Sequence, residues 1–280
     1  MDRQQQTEYS KKFRDMHKGR LFLLPNAWDG GSAKIFSRNG FEAVGTTSAG
    51  IAYSKGLADG ENISFDDLSS AAASIISAAD CPVSIDIERG FGQSFDDICA
   101  NVEALVNLGA VGINIEDGIP SEGRVDTIDY FSELISEISS LRDSSGIPFV
   151  INARTDIFLL NTDRPENMMR QVCCRAERLQ KAGADCIFIP GALDEQTICS
   201  LRASISMPVN LFVHKKFNDV KRLAEIGINR LSSGSAPVRT AYSALIDTSA
   251  AFYRGDCAPM LAHGFDYAAA NDFFGVPTDV

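Results

Sequence analysis

The chain has 280 residues, and 26 lysines and arginines against 37 aspartates and glutamates give it a formal net charge of −11. This surplus of carboxylates argues against binding to nucleic acids or to anionic membranes, because both need a basic face. No stretch is long and apolar enough to span a membrane, and the start lacks the apolar core of a signal peptide, so a cytoplasmic protein is expected. Seven cysteines without a C-x-x-C pair fit reduced thiols, and three histidines without metal-ligand spacing argue against a zinc enzyme.

Short β-rich segments alternate with amphipathic helical patterns along most of the chain. The eight predicted strands are Leu21–Leu24, Ala43–Thr46, Val83–Asp86, Gly112–Glu116, Phe149–Ala153, Cys186–Ile189, Val209–Val213 and Arg230–Leu231. Helices between them are predicted at Phe65–Ala79, Phe95–Leu108, Asp126–Arg142 and Pro165–Ala182. The first two follow a serine that can form a capping box, and Gly109, Gly146 and Gly183 mark helix-to-strand turns.

Eight βα units in about 250 residues are the number and size of a (β/α)8 TIM barrel. A doubly wound sheet is the alternative, but the sequence lacks its glycine-rich phosphate fingerprint. We expect one catalytic barrel over residues 1–255, with an extra helix before Gly19 closing its bottom. Residues 256–280 form a tail that we expect to pack on a neighbouring subunit, because it carries too many aromatic residues to leave in water. They are Phe265, Tyr267, Phe273 and Phe274.

Acidic residues follow the third and fourth predicted strands, at the end where a barrel places its active site. They are Asp86, Glu88, Glu116 and Asp117. Carboxylates this close repel one another unless a proton or a cation neutralises them. An all-oxygen set without histidine or cysteine favours Mg²⁺ or Mn²⁺. The alternative is that these acids cap the following helices or pair with Arg89 and Arg154.

Two further polar features are predicted at the same mouth. Arg154, at the end of the fifth strand, can bind a carboxylate or stabilise an oxyanion. Its alternative role is an ion pair with Asp156 or Glu116. The small residues of Thr46–Gly50 would let backbone N–H groups approach an anionic ligand.

The ends of the seventh and eighth strands suggest a phosphate ligand or a Schiff base. Ser232–Ser235 resembles a phosphate cup after the eighth strand, although a plain helix cap at Ser235 explains it equally well. Lys215 and Lys216 follow the seventh strand, and two adjacent lysines in a loop are more typical of solvated charges than of a covalent role.

Five ordered motifs resemble the isocitrate lyase/phosphoenolpyruvate mutase superfamily over most of the chain. They are residues 24–29 (LPNAWD), 45–50 (GTTSAG), 86–92 (DIERGFG), 112–117 (GINIED) and 152–156 (NARTD). The resemblance implies a barrel that binds Mg²⁺ and a 2-oxo acid at its mouth. It also implies a homo-oligomer, a dimer or tetramer whose subunits exchange a C-terminal helix.

The resemblance also implies roles for individual residues. Asp86 would be the nearest metal ligand, with Glu88 and Glu116 holding the ion partly through water. Glu88 is a departure, since many members have aspartate there. Arg154, Glu116 and Asp59 would carry catalysis, with Asp59 ordering the second loop. The remaining substrate-binding positions, beside Arg154 and Asp86, are the backbone at Thr47, Ser48 and Ala49 and the side chain of Asn210.

The segment after the fourth strand departs further from the family. Lyase members carry K-x-C-G-H there, and phosphonate-processing members carry a lysine, whereas Gly118–Val125 contains no cysteine, histidine or lysine. Two flanking glycines suit a lid that opens and closes. Glu122 and Arg124 are its only side chains able to move a proton or bind an anion, and the alternative is that both are solvated.

These features predict a Mg²⁺- or Mn²⁺-dependent lyase-type enzyme acting on a small 2-oxo carboxylic acid. Cleavage of a C–C or C–P bond would leave an enolate, as in decarboxylation of an oxaloacetate-like acid. One alternative is a non-catalytic barrel that binds a 2-oxo acid without turnover. Another is an aldolase that uses Ser232–Ser235 for a substrate phosphate.

Overall fold

The computed structural model describes residues 1–262 and 264–275. Its strands are β1 (Phe22–Leu24), β2 (Asn26–Ala27), β3 (Val44–Thr46), β4 (Val83–Asp86), β5 (Gly112–Glu116), β6 (Gly118–Ile119), β7 (Arg124–Val125), β8 (Val150–Arg154), β9 (Cys186–Phe188), β10 (Val209–Phe212) and β11 (Arg230–Ser232). Its helices are α1 (Arg3–Met16), α2 (Gly30–Arg38), α3 (Ser48–Ser54), α4 (Phe65–Ala78), α5 (Phe95–Leu108), α6 (Ile128–Ser145), α7 (Pro165–Lys181), α8 (Glu195–Ser204), α9 (Val220–Ile226), α10 (Ala236–Tyr253), α11 (Ala258–Leu261) and α12 (Tyr267–Phe274).

Nine of the described strands form one parallel sheet in the order β1-β11-β10-β9-β8-β5-β4-β3-β2. The two edge strands of this order, β1 and β2, are separated only by Pro25. Proline has no N–H to donate, so the first barrel strand is interrupted there while its two halves close the ring. All eight predicted strands are present, and the predicted TIM barrel is confirmed.

The helix boundaries follow from capping chemistry. Ser64 and Ser94 each form the predicted capping box, with an aspartate three residues later, at the starts of α4 and α5. Gly109 and Gly146 end α5 and α6 in the left-handed conformation, with φ of 115° and 70°, which favours glycine.

Side chains on the strands alternate between the helix layer and the barrel axis, as the pleat requires. In β5, Ile113 and Ile115 pack in the main hydrophobic cluster between sheet and helices. Asn114 lies between them in sequence and lines a cavity inside the barrel. This alternation places polar side chains at the upper end of the barrel interior and keeps the apolar core outside it.

Helix α1 closes the lower end of the barrel, as predicted. Phe13 is fully buried in a second cluster with Leu24, Ala43, Val111 and Val150, which lie on or near the strands where they enter the barrel. The Gln6 side chain fixes the same helix to the barrel, because its Nε2 donates hydrogen bonds to the carbonyl oxygens of Val106 and Ala110, at 2.6 and 3.0 Å.

Two expectations about the chain as a whole can be compared with the structure. No helix of the described residues is long and apolar enough to cross a membrane. All seven cysteines are free. Cys81 and Cys186 are buried, and Cys174 and Cys257 are exposed.

We predict that Phe13→Ala lowers the free energy of unfolding by about 3–5 kcal/mol, because it removes a buried ring and leaves a cavity under the barrel. Urea unfolding followed by circular dichroism measures this. Lys11→Ala, an exposed change on the same helix, is the control and should stay within about 0.5 kcal/mol of the parent. A loss below about 1 kcal/mol for Phe13→Ala would show that α1 does not close the barrel.

Candidate active site

A small cavity of about 180 Å³ opens at the carboxyl ends of the strands. Seven of the predicted site residues line it: Thr47, Ser48, Ala49, Asp59, Asp86, Arg154 and Asn210. Glu88 and Glu116 are buried beside it without being part of its lining, and Glu122 and Arg124 lie elsewhere. The strand-end reasoning therefore brings together most of the residues that it selected.

Asp86 is held by three hydrogen bonds at the end of β4. Its Oδ2 accepts from the Ser48 backbone N–H at 3.1 Å, and its Oδ1 accepts from Asn114 Nδ2 at 2.9 Å. Its own N–H donates to Thr46 Oγ1 at 2.8 Å. Asn114 is fixed in turn, because its Oδ1 accepts from Asn152 Nδ2 at 2.8 Å. The carboxylate of Asp86 is thus fixed in orientation at the cavity wall.

Glu88 lies in a turn that few residue types adopt. Its φ is 47°, a left-handed conformation that is uncommon outside glycine and is often found at functional sites. Its Oε2 accepts from the Glu61 N–H at 2.6 Å, which joins the β4 end to the second loop. Burial, together with repulsion from Asp86 and Asp59, raises the pKa of Glu88 to about 8.

Arg154 is held between two carboxylates. Its Nη1 lies 2.6 Å from Glu116 Oε2, and its Nε and Nη2 donate to the two oxygens of Asp156 at 2.6 and 2.9 Å. Burial alone would lower the pKa of Arg154, but Glu116 and Asp156 raise it above its ordinary value. Burial raises the pKa of Glu116, with Arg154 opposing the shift. The ion-pair role considered for Arg154 is therefore present, and the guanidinium still lines the cavity.

Asp117 does not join the acidic cluster, which corrects the expectation that four acids converge. It follows Glu116 directly, so the pleat turns it to the other face of the strand. There it is fully buried, accepts from Arg175 Nη1 at 2.8 Å and accepts from the Asp156 N–H at 2.9 Å. Burial, partly offset by Arg175, raises its pKa to about 6. Asp117 therefore helps to position Asp156 through the hydrogen bond from the Asp156 N–H.

The second loop approaches the cavity through Asp59. Asp59 Oδ1 accepts from Ser48 Oγ at 3.4 Å, and burial together with repulsion from Asp86 raises the pKa of Asp59. Thr47 caps α3 through a bond from the Gly50 N–H at 3.4 Å. Thr47, Ser48 and Ala49 line the cavity beside Asp86, whose Oδ2 accepts from the Ser48 N–H.

The predicted lid is a small hairpin. β6 and β7 pair antiparallel around the Pro120–Glu122 turn. Arg124 Nε lies 2.6 Å from Glu122 Oε2, and both side chains are about half exposed. In the structure these two residues therefore bind each other and do not reach the cavity.

The side chain of Asn26 occupies the predicted phosphate cup at Ser232–Ser235. Asn26 Oδ1 accepts from the N–H groups of Ser233 and Gly234, both at 2.9 Å, and its Nδ2 donates to the Thr46 carbonyl at 2.7 Å. These N–H groups are therefore not free for a phosphate. Ser235 is the N-cap residue of α10, but its side chain makes no capping bond. Lys216 lies 3.6 Å from Asp194, outside the cavity.

The acidic side of the cavity fits a hard divalent cation. Among the described residues, no three aspartate, glutamate, histidine or cysteine side chains lie close enough together to hold a metal jointly. Mg²⁺ keeps several waters and often takes only one or two protein carboxylates, so this spacing agrees with one direct ligand and others acting through water. Burial raises the pKa values of Asp59 and Glu88, and Asp86 adds repulsion that a cation beside it would relieve.

Several lining residues were missed by the sequence reasoning. They are Asn26, Asn114, Phe188 and Arg230. The available signal was the strand period: Asn114 lies two residues before Glu116, and so on the same face of β5. Phe188 stacks under Arg154, with the guanidinium carbon 5.7 Å from the ring centroid.

Residues 13–253 match the phosphoenolpyruvate phosphomutase family. An uncharacterised protein of Mycobacterium tuberculosis H37Rv is 33% identical over 248 residues, which are 88% of this chain and 91% of that protein. An oxaloacetate decarboxylase of Pseudomonas entomophila L48 is 28% identical over 237 residues, 82% of this chain and 79% of that enzyme. The crystal structure of a candidate lyase/mutase from Burkholderia cenocepacia J2315 superposes with a TM-score of 0.88 at 29% identity, covering 97% of both chains.

Proposed function

Because the chain belongs to the phosphoenolpyruvate phosphomutase family, it is an enzyme of lyase or mutase type, and we propose that it cleaves a small 2-oxo carboxylic acid at carbon 3 with the help of Mg²⁺ or Mn²⁺. The observation that carries this proposal is that the carboxylate of Asp86 and the guanidinium of Arg154 line the same cavity. A divalent cation beside Asp86, together with the fixed positive charge of Arg154, would suit a ligand with adjacent carboxylate and keto oxygens.

Asp86 is the residue that would hold the cation directly, with Glu88 and Glu116 acting through water. When bound, the cation would supply a Lewis acid for the keto oxygen. Glu88 departs from the aspartate of many relatives, and its bond from the Glu61 N–H holds the longer side chain against the second loop. Asp59 would order that loop around the substrate.

Arg154 would stabilise the negative oxygen that develops during bond cleavage. Glu116 and Asp156 hold its guanidinium in place before the reaction, so little reorganisation is needed when charge develops. Ser48 and the Thr47–Ala49 backbone would orient the substrate carboxylate on the opposite wall.

Decarboxylation of an oxaloacetate-like acid suits this site best. The bond between carbon 3 and the departing carboxylate breaks, its electron pair forms the enolate, and a proton is then added at carbon 3. Among the described residues, no lysine, histidine or cysteine lines the cavity, so the acidic side chains of this wall, or a water that they hold, would deliver that proton. The similarity to oxaloacetate decarboxylases supports the same substrate class.

The two alternatives are weaker. A barrel that binds without turnover is disfavoured, because the chain resembles enzymes over more than four-fifths of its length. An aldolase using Ser232–Ser235 is disfavoured, because Asn26 takes two of the N–H groups that a phosphate would need.

A homo-oligomer built through the C-terminal helices is the second part of the proposal. α10, α11 and α12 leave large apolar side chains exposed: Leu245, Ile246, Phe252, Tyr253, Leu261 and Tyr267. The exposed fraction of Tyr253 is 94%. In the chain itself, Lys34 Nζ donates to the Phe274 carbonyl at 3.1 Å, so α12 contacts α2. The same contact made between subunits would exchange the helix and cover this surface.

Asp86→Ala should reduce Mg²⁺-dependent turnover of oxaloacetate by at least about 100-fold, because it removes the direct cation ligand. Pyruvate release at several Mg²⁺ concentrations measures the effect. The control is Asp129→Ala, which removes an exposed acid that pairs with Arg178 far from the cavity, and it should keep the parent rate. Equal rates for the Asp86 variant and the parent would refute the metal assignment.

For the lid, Arg124→Ala should raise KM about tenfold if the hairpin closes and Arg124 contacts the substrate anion, since a charged hydrogen bond contributes about 1.5–3 kcal/mol. Glu122→Ala should lower KM or leave it unchanged, because it frees Arg124 from its present partner. Steady-state kinetics with oxaloacetate separates the two effects. Unchanged kinetics in both variants would show that the hairpin only covers the site.

Sedimentation equilibrium should give a multiple of the chain mass for the parent protein. Replacing Phe252 and Tyr253 together by serine should shift the protein toward the monomer, because both are largely exposed apolar side chains on α10. Replacing the exposed Glu133 by serine on α6 is the control. A parent protein that sediments as a monomer would refute the oligomer.

A further inference from the structure

A buried guanidinium with no hydrogen-bond partner among the described residues lies in the cavity, away from the lid. Arg230 is the first residue of β11, is only 3% exposed and lines the cavity. Its Nε and Nη1 have no hydrogen-bond partner among the described residues. Burial lowers the pKa of Arg230 to about 10, so the side chain stays charged at neutral pH.

Two uncharged donors accompany Arg230. Asn210 is its register partner on β10, is fully buried, and has an Nδ2 without a partner among the described residues. Ser84 on β4 is also buried, and its hydroxyl has no partner there. Both line the same cavity as Arg230. Three strands therefore direct unused hydrogen-bonding groups to the same cavity.

Within the part of the chain that the structure describes, no carboxylate forms an ion pair with the Arg230 guanidinium. Phe13 lies below it, with the guanidinium carbon 5.8 Å from the ring centroid. Burial and the charge of Arg230 lower the pKa of His17 to about 3, so this side chain is uncharged at neutral pH. Asp86 is the carboxylate whose charge acts on Arg230, but Ser48 and Asn114 already bond its oxygens. A buried charge without a partner is costly unless a ligand completes the site.

We propose that Arg230, Asn210 and Ser84 form an anion subsite that takes the second carboxylate of a dicarboxylic 2-oxo acid. This rests on the proposed function, in which the 2-oxo acid group binds beside Asp86 and Arg154. The cavity then has two charged ends, one for the 2-oxo acid group and one for a distal carboxylate. In an oxaloacetate-like acid this distal carboxylate is the group that leaves as carbon dioxide, so Arg230 acts in substrate binding and selection and not in the cleavage step. Arg230 is a substrate-binding and specificity residue, because a substrate without the distal carboxylate leaves its guanidinium unpaired.

Calorimetry in Mg²⁺ with ligands matched in length tests this subsite. The diacids are 3,3-difluorooxaloacetate and 2-oxoglutarate, the monoacids are 2-oxobutanoate and 2-oxopentanoate, and oxalate probes the 2-oxo acid end alone. The parent protein should bind at least one diacid about tenfold or more tighter than the monoacid of equal length. Arg230→Gln should remove that preference and change oxalate affinity less than threefold. Arg202→Gln is the control, because this partly buried guanidinium bonds the Met207 carbonyl outside the cavity.

A thermal melt without ligand adds a second measurement. Arg230→Met should melt at or above the parent temperature, because it removes an unpaired buried charge. Equal affinity of the parent for diacids and monoacids would overturn the proposal, and this comparison needs no variant. A uniform loss for every ligand in Arg230→Gln would also overturn it, since it would show a structural role. Absence of Mg²⁺-dependent oxalate binding in the parent would instead contradict the proposed function.

Discussion

Repulsion among buried carboxylates at one end of the barrel is the constraint around which the site is built. Asp59, Glu88 and Glu116 all have raised pKa values for the same physical reason, burial, with Asp86 adding repulsion to each. At an effective dielectric constant of about 20, two like charges 4 Å apart repel by about 4 kcal/mol. Buried carboxylates that repel one another are stable only if cations and hydrogen bonds offset the cost of their burial and their repulsion.

The structure supplies that compensation from several directions. Arg154 balances Glu116 and Asp156, and Arg175 balances Asp117 from the helix layer. Gly118 follows Asp117, and a Cβ there would come within 2.3 Å of Asp156 Oδ2, so only glycine lets the chain pass this close to the pair. These contacts fix Arg154 before any substrate arrives. Asp59 and Asp86 line the cavity and form no ion pair with a described lysine or arginine, so their charges would be the ones available to a divalent cation.

The barrel could be predicted from sequence because its signals are local and repeated. Each strand is a short apolar run bounded by turns, and capping residues such as Ser94 and Gly109 act within one helical turn. The site could be located because parallel strands bring their carboxyl ends to one edge. The hairpin β6–β7 could not be predicted, because two-residue strands carry no periodic pattern.

The directions in which individual side chains point were the feature of the site that was hardest to predict from the sequence. Glu116 and Asp117 are adjacent acids, and only strict use of the two-residue strand period separates the one facing Arg154 from the one facing Arg175. Arg230 was missed for a different reason. It is the first residue of its strand, two residues before the carboxyl end, and its neighbours in sequence do not predict that its guanidinium has no hydrogen-bond partner among the described residues.

The central claim is that the acidic wall and Arg154 together bind a cation and a 2-oxo acid. The most direct measurement is an isothermal titration of oxalate into the parent protein with Mg²⁺ and after its removal by chelation. We expect oxalate to bind about 100-fold tighter with Mg²⁺, because a bound cation and its ligand stabilise each other. Equal affinity in the two titrations, or no binding in either, would contradict the account.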